Sequence, residues 1–303
     1  MALKDIKSKI LATKRMNTVT RAMEAVSAVK MRKTQTAAFA GRSYARSALS
    51  ILTRLSGTHS FASHPLSESR ENVKKIAVVV ITSDKGLAGA LNSGVLKKAA
   101  EVVKEHALED VIVYAYGKKG EDYFSRRGYT IARAFENKTD DVQLSVMEEV
   151  SEELSTRFLA GDFDKVITIY SNFKSTFEQV PTVRRLLPLS MGALTEIVEG
   201  IIPQKGKWSS EVDLEAPAAY TIEPSTMDVL SELVPRLAAV ALYHMLLEAK
   251  ASEHSARMVA MKGASDKSKE VTRDLTRKYN KLRQAAITRE VSEIVSGREA
   301  LSV

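Results

Sequence analysis

Two stretches of this chain read as helices far longer than a globular core requires, and they sit at opposite ends of it. Residues 2–56 contain no proline and one glycine, Gly41. Apolar residues recur there at three- and four-residue steps, at Ile6, Ile10, Val19, Met23, Val26, Ala37, Tyr44, Ala48, Leu52 and Leu55. That is a helical period, and an unbroken helix of that length would span about 80 Å. A second periodic run begins after Pro224, where Ser225 and Asp228 form a weak capping box. It continues through Leu230, Leu233, Leu237, Val240, Met245, Leu247, Met258, Val271, Leu275, Leu282, Ile287, Val291 and Ile294 to Gly297. Pro235 is expected to kink this helix and Gly263 to weaken it. Neither helix can bury its stripe alone, so the two are expected to pair as an antiparallel coiled coil. The second is longer, which leaves part of it projecting in need of another surface.

Between them the pattern changes. "KKIAVVVIT", "DVIVYAYG", "YTIARAF" and "DKVITIYS" read as strands. "LNSGVLKKAAEVVKEH", "KKGEDYFSRRG" and "DDVQLSVMEEVSEELSTRFLAG" read as helices, the last opened by acids and closed by Gly161. "FKSTFEQVPTVRRLLPL" reads as extended pairs. Strands alternating with helices predict an α/β unit on a mostly parallel sheet. The expected fold class is α/β, with N- and C-terminal coiled-coil helices flanking a Rossmann-like α/β domain. The expected divisions are a helix over 1–56, a linker over 57–73, the α/β domain over 74–219 and a helix over 220–303.

After the first strand comes "SDKGLAGALN", residues 83–92, where a nucleotide-binding protein would hold phosphate. A dinucleotide fingerprint needs Gly-x-Gly-x-x-Gly, and this turn reads Gly86-Leu-Ala-Gly89. The Gly-x-x-x-x-Gly-Lys-Ser/Thr phosphate loop is also missing. The turn therefore reads as a packing or docking element, with no cofactor expected. The chain has no cysteine, which removes disulfides, zinc-thiolate sites and thiol catalysis. Of its five histidines, His254 follows Glu253 but has no second histidine four residues away, so no metal helix is expected. His244 reads as an ordinary interface or surface residue, and Glu148, Glu149, Glu152 and Glu153 as a solvated helix face. No Gly-x-Ser-x-Gly elbow occurs, and no catalytic residue is expected. No run of eighteen apolar residues occurs, so no transmembrane helix is expected.

Charge is uneven. Residues 1–56 carry a net +10, residues 57–224 a net −5 and residues 225–303 a net +3. The basic first segment implies an acidic partner surface. Taken alone, the residues leave two rivals open. A Rossmann-type enzyme with helical dimerisation arms would need the glycine fingerprint. A basic coiled-coil nucleic-acid binder would need basic residues interleaved with aromatics, whereas residues 30–54 hold just Phe39 and Tyr44.

Three stretches are more specified than a coiled coil needs: "VTRAMEAVSAVKMRKTQ" at 19–35, "AKASEHSARMVAMKGASDKS" at 249–268 and "YNKLRQAAITREVSEIVSG" at 279–297. Together with "SDKGLAGALN" they closely resemble the γ subunit of F-type ATP synthases, in order and across essentially the whole chain. The departures are small. Lys85 stands where the family usually has Arg, Gly263 interrupts the long helix, and the segment before "YTIEPS" is longer than usual. The resemblance implies a rotor shaft within a ring of three α and three β subunits, with a foot bearing on the c-ring and the ε subunit. It implies contacts with the β subunits at Met23, Lys85, Arg257, Gln284, Thr288 and Glu290, and with the c-ring at Tyr220 and Glu223. It implies no metal, no small-molecule substrate and no nucleic acid. The implied location is peripheral, on the cytoplasmic face of a bacterial plasma membrane.

Overall fold

A computed structural model describes residues 3–40, 64–70, 72–137, 139, 142–190, 192, 223 and 225–301. The expectations for the helix over 41–56, for the linker over 57–63 and for residues 193–222, Tyr220 among them, lie outside the described residues. The elements run α1 (Leu3–Ala40), β1 (Ile76–Ile81), α2 (Leu91–Val103), β2 (Val111–Tyr116), α3 (Lys118–Ser125), β3 (Thr130–Phe135), α4 (Leu144–Ala160), β4 (Lys165–Ser175), β5 (Glu178–Leu187) and α5 (Thr226–Leu301). By compactness the chain divides into two units, Ala28–Ala256 and the pairing of Met1–Ser27 with Arg257–Val303.

The first unit is built on a five-stranded sheet in the order β3-β2-β1-β4-β5. β1 lies parallel to β2 and β4, β2 lies parallel to β3, and β5 returns antiparallel on β4 as a hairpin. All six residues of β1 are buried. Its side chains alternate between two cores, which is why the sequence there is continuously apolar. Ile76, Val78 and Val80 join Val95 and Ala99 of α2 and Phe124 of α3 on one face. Ala77, Val79 and Ile81 join Met147, Leu154 and Phe158 of α4 on the other.

That second core also contains Leu230, Val234, Leu237, Leu242, Met245 and Leu246 of α5. The opening of α5 therefore packs in the α/β core, where the periodicity alone had assigned it to the coiled coil. The same residues explain a second difference. α5 contains a window apolar enough to cross a membrane, with mean hydropathy 1.3, although no unbroken apolar run occurs. The window is 56% buried inside the protein, as a core helix would be.

Local signals mostly place the ends as read. The Ser225 hydroxyl accepts from the Asp228 amide at 3.2 Å, capping α5. α4 ends on Gly161 in the left-handed conformation, φ 84°. Its start differs from expectation: it opens at Leu144 with no acid in the first turn. α5 runs on through both Pro235 and Gly263.

The second unit is a helix pair. On α1 the enclosed positions step by four and three: Ile6, Ile10, Thr13, Asn17, Thr20 and, after the pair Met23 and Glu24, Ser27. On α5 they are Met261, Ser265, Ser268, Thr272, Leu275, Tyr279 and Leu282. Asn17 Nδ2 donates to the Ser265 carbonyl at 2.6 Å. Fourteen residues back from Asn17 lies Leu3, the first described residue of α1, and fourteen forward from Ser265 lies Tyr279. Burial on α5 fades just past that point, as an antiparallel pair requires. The heptad spacing is that of a coiled coil, but the middle of the seam, Thr13 to Thr20 on α1 and Ser265 to Thr272 on α5, is small and polar. Val19 and Val26, expected in it, are 58% and 55% exposed.

Gly117, between β2 and α3, has φ 97°, and a Cβ there would lie 2.1 Å from the Thr82 carbonyl oxygen. Gly117→Ala is expected to cost about 3 kcal/mol of folding stability. Chemical denaturation of the purified chain checks this.

Candidate functional site

The loop after β1 is the first place to look, because ligands of open α/β sheets bind beyond the carboxyl ends of the strands. Here that crevice is occupied by the chain itself. Asp84 accepts from the backbone amide of Lys118, at the start of α3, and from that of Asn137, both at 2.8 Å. A helix N-terminus favours an anion, and the protein supplies its own. Asn92 closes the loop: its Oδ1 accepts from the Ser83 amide at 3.0 Å, and its Nδ2 donates to the Ser83 hydroxyl at 2.7 Å. The Asn137 side chain donates to the Thr82 carbonyl at 2.6 Å. Lys85, Gly86 and Leu87 are left exposed at the apex. Leu87 has φ 64°, a left-handed conformation uncommon outside glycine. A loop tied down at its base and bare at its tip has the form of a docking element.

The segment "AKASEHSARM" is the second. Most of its polar residues are buried. Lys250 is 2% exposed and donates from Nζ to the carbonyls of Asn137 (2.9 Å) and Thr139. Ser252 donates to the Ser171 carbonyl at 2.8 Å, and Ser255 to that of Thr176 at 2.7 Å. These polar residues tie α5 to the strand ends and the β4–β5 turn. His244 is likewise buried rather than superficial. Arg257 is 8% exposed, so its side chain is largely enclosed by the chain's own atoms.

The third place is the end of α5. From Arg283 to Arg298 every residue except Ala286 is exposed. Ile287, Val291, Ile294 and Val295 form a bare apolar row, with Ile294 72% exposed. At about 100° per residue, Gln284 and Thr288 flank one side of that row and Glu290 the other. All three are exposed, and Thr288 bonds its hydroxyl to the Gln284 carbonyl at 3.0 Å within the helix. Met23 is half-buried on α1, Lys85 stands on the loop after β1, and Glu223 is exposed. The singled-out residues thus fall at several places: one on α1, one on the β1 loop, one enclosed on α5, three on its bare end and one just before it.

One surface escaped the sequence reading. Leu11, Met16, Val19, Val26 and Val29 are all exposed on α1. Most of them lie opposite the seam, so α1 has a second apolar face that the seam does not cover. The signal was available: Thr13, Asn17, Thr20 and Ser27 keep a strict heptad, which marks the true seam and puts the valines outside it.

The acidic run on α4 is only partly a solvated face. Arg133 bridges Glu149 at 3.0 Å and Glu153 at 3.1 Å. The Tyr114 hydroxyl donates to Glu153 and accepts from Arg157, both at 2.8 Å. Burial first, and then Glu153, pushes the Tyr114 phenol up to about 12. It therefore stays protonated, and the group reads as a structural clamp between β2 and α4.

Asp84→Ala is expected to lower stability by about 1–3 kcal/mol, because it leaves two backbone donors unpaired. Millimolar ATP or NAD should leave the melting temperature of the unaltered chain where it was. A ligand that binds the native state raises it, so a rise would restore the loop as a nucleotide site.

Comparison with known proteins was made against this geometry. A family model described as ATP synthase matches residues 2–301. A protein of Chlorobium phaeobacteroides (strain BS1) named ATP synthase gamma chain is 40% identical over 304 residues, covering 99% of this chain and 98% of its own. Another of that name from Roseiflexus sp. (strain RS-1) is 41% identical over 305 residues, with the same coverage. Among solved structures, a chain of the Tetrahymena thermophila mitochondrial ATP synthase central stalk and c-ring aligns with TM-score 0.60 at 24% identity, covering 82% of this chain and 99% of that one. A chain of the Euglena gracilis mitochondrial ATP synthase aligns with TM-score 0.65 at 17% identity, covering 99% of this chain and 94% of that one. At those identities the structural likeness speaks for the fold alone.

Proposed function

This chain belongs to the ATP synthase family as one of its gamma chains, and from that membership we propose that it is the central rotor shaft of the enzyme. The observation that carries the reading is the bare end of α5. A helix with an apolar row flanked by Gln284, Thr288 and Glu290 continues beyond its partner helix. Such a row calls for an apolar sleeve around it. A ring of three α and three β subunits fits that need, and the basic charge of residues 1–56 suits acidic loops on the β subunits. The four-part division over 1–56, 57–73, 74–219 and 220–303 then has a functional sense: two helices form the shaft and the α/β domain the foot, resting on the c-ring and the ε subunit.

Met23, Lys85, Gln284, Thr288 and Glu290 are the proposed direct contacts with the β subunits. Arg257 belongs to the same set but is enclosed, so a partner reaches it only where assembly uncovers it. Tyr220 and Glu223 are the proposed contacts with the c-ring. The chain supplies no catalytic group in this reading; the complex makes ATP from ADP and phosphate, and the shaft sets which β site does so. An asymmetric shaft offers each β site a different face. Coupling is the difference in contact energy between those states, and rotation exchanges the faces. Ion flow through the c-ring drives synthesis, and hydrolysis drives the reverse turn. The chain would sit peripherally, on the cytoplasmic face of a bacterial plasma membrane.

An affinity tag inserted within residues 57–69 tests the assembly. The expected result from native membranes is a complex with two larger subunits in threefold excess and ATPase activity that travels with it. The tagged chain alone would overturn the reading. Replacing Gln284 and Thr288 together by Ala should leave the chain's melting temperature within error, since both are exposed, yet lower ATP synthesis in membrane vesicles. Arg257→Ala should lower both, because its side chain is buried. Unchanged synthesis in either variant would remove those residues from the contact set.

A further inference from the structure

β4 runs on past the strand beside it. Its last pairing with β1 joins Ile169 to Val80, and from Tyr170 to Ser175 its ladder partner is β5. The β4–β5 hairpin therefore projects beyond the carboxyl ends of the parallel strands, the end where the Lys85 loop stands. The two features adjoin there: a Cβ added to Gly94, in the first turn of α2, would lie 2.9 Å from the Pro181 ring of β5. Pro181 pairs with Ser171, and Ser175 with Glu178, so the hairpin turn reaches about 13 Å past that level. α5 runs the same way. Its Ser252 donates to the Ser171 carbonyl and its Ser255 to the Thr176 carbonyl. The helix thus leaves the α/β unit beside the hairpin turn, having begun about 40 Å back, toward the amino ends of the strands.

The turn at that exit is fixed in backbone and bare in side chain. The Thr176 carbonyl accepts from the Ser255 hydroxyl at 2.7 Å and from Gln179 Nε2 at 3.0 Å. The Ser175 carbonyl accepts from Gln179 Nε2 at 3.1 Å, and the Ser175 hydroxyl accepts from the Phe177 amide at 3.3 Å. Phe177 itself is 80% exposed, the most of any large apolar residue among those described. Single exposed apolar side chains are ordinary. This one is an aromatic ring on a turn locked on both sides of it. A ring presented in advance costs little further ordering when a partner covers it, and buried aromatic anchors carry much of the binding energy at interfaces.

We propose that Phe177 is a further contact with the β subunits, an anchor that enters an apolar recess beside the surface met by the Lys85 loop. This rests on the shaft reading above. Position selects the occupant. The end where α5 begins, with Glu223 just before it, is assigned there to the c-ring. Phe177 stands at the opposite end, where α5 departs and where the neighbouring loop carries Lys85 and the exposed Leu87. A β subunit that meets that loop has the projecting turn next to it.

Exchanging the ring for a photoreactive one tests the contact in the assembled complex. Phe177→p-benzoylphenylalanine, irradiated, should give a covalent product with the combined mass of this chain and one β subunit. ATP hydrolysis should fall in proportion to that product, because a shaft fixed to the ring cannot turn. A product with an ε or c subunit would leave hydrolysis intact, since those parts turn with the shaft. Such a product, one with an α subunit, or none at all overturns the proposal. Leu87→p-benzoylphenylalanine probes the Lys85 loop in the same way, and its joining to β while the Phe177 variant does not would leave the shaft reading standing. A tagged chain that brings down no larger subunits would instead remove the shaft reading itself, so the two fail separately. Phe177→Ala should keep the melting temperature within error, since the ring is exposed, and lower ATP synthesis in membrane vesicles several-fold. Undiminished synthesis in that variant overturns the proposal as well.

Discussion

Helix α5 brings Leu230, Val234, Leu242 and Leu246 into the core beneath the sheet, and further along the same helix its enclosed face is Ser265, Ser268 and Thr272. That change of chemistry on one continuous element organises the molecule. The first part is held by burial of large apolar groups, which is strong and non-directional. The second sets small polar residues such as Thr13, Thr20 and Ser27 between Ile6, Ile10 and Met23 on α1, facing a similar mixture on α5. Between them lies a belt of buried polar groups, Lys250, Ser252 and Ser255, each donating to a backbone carbonyl of the α/β unit. One helix is thus anchored, laced and then paired, in that order.

The α/β unit was legible because its signals are local. Continuous apolar runs mark doubly covered strands, and glycines with positive φ mark where elements end, as Gly161 does for α4. The coiled coil was legible in existence and partly in face: Ile6, Ile10 and Met23 lie in the seam as expected. Val19 and Val26 obey a helical period, yet they are exposed, while Thr13, Asn17 and Thr20 form the seam. Hydrophobicity is a poor guide where the packing surface is built from small polar residues that satisfy themselves within their own helix. The burial of Lys250, Ser252 and Ser255 was not legible either: their partners are backbone carbonyls, which leave no trace in sequence.

The candidate contacts divide along similar lines. Gln284, Thr288 and Glu290 were named through the resemblance, as polar groups along an apolar period. Their exposure beside Ile287, Val291 and Ile294 explains the mixture, since that segment has no intramolecular seam to serve. Arg257 came from the same resemblance but is enclosed, so a matched motif alone does not say whether a side chain faces inward or outward. The second apolar face of α1 went unread because its valines had already been assigned to the seam.

The carboxylate of Asp84 sits where a nucleotide-binding relative of this sheet would hold phosphate, with both oxygens engaged by backbone amides. A domain that borrowed its anion from the cell would loosen or tighten as the supply of that anion changed. With the anion built in, the Lys118 and Asn137 amides are satisfied by a group held in place by the chain itself. In engineering terms it is a captive fastener: the part that closes the crevice cannot be lost, diluted or exchanged while the chain stays folded.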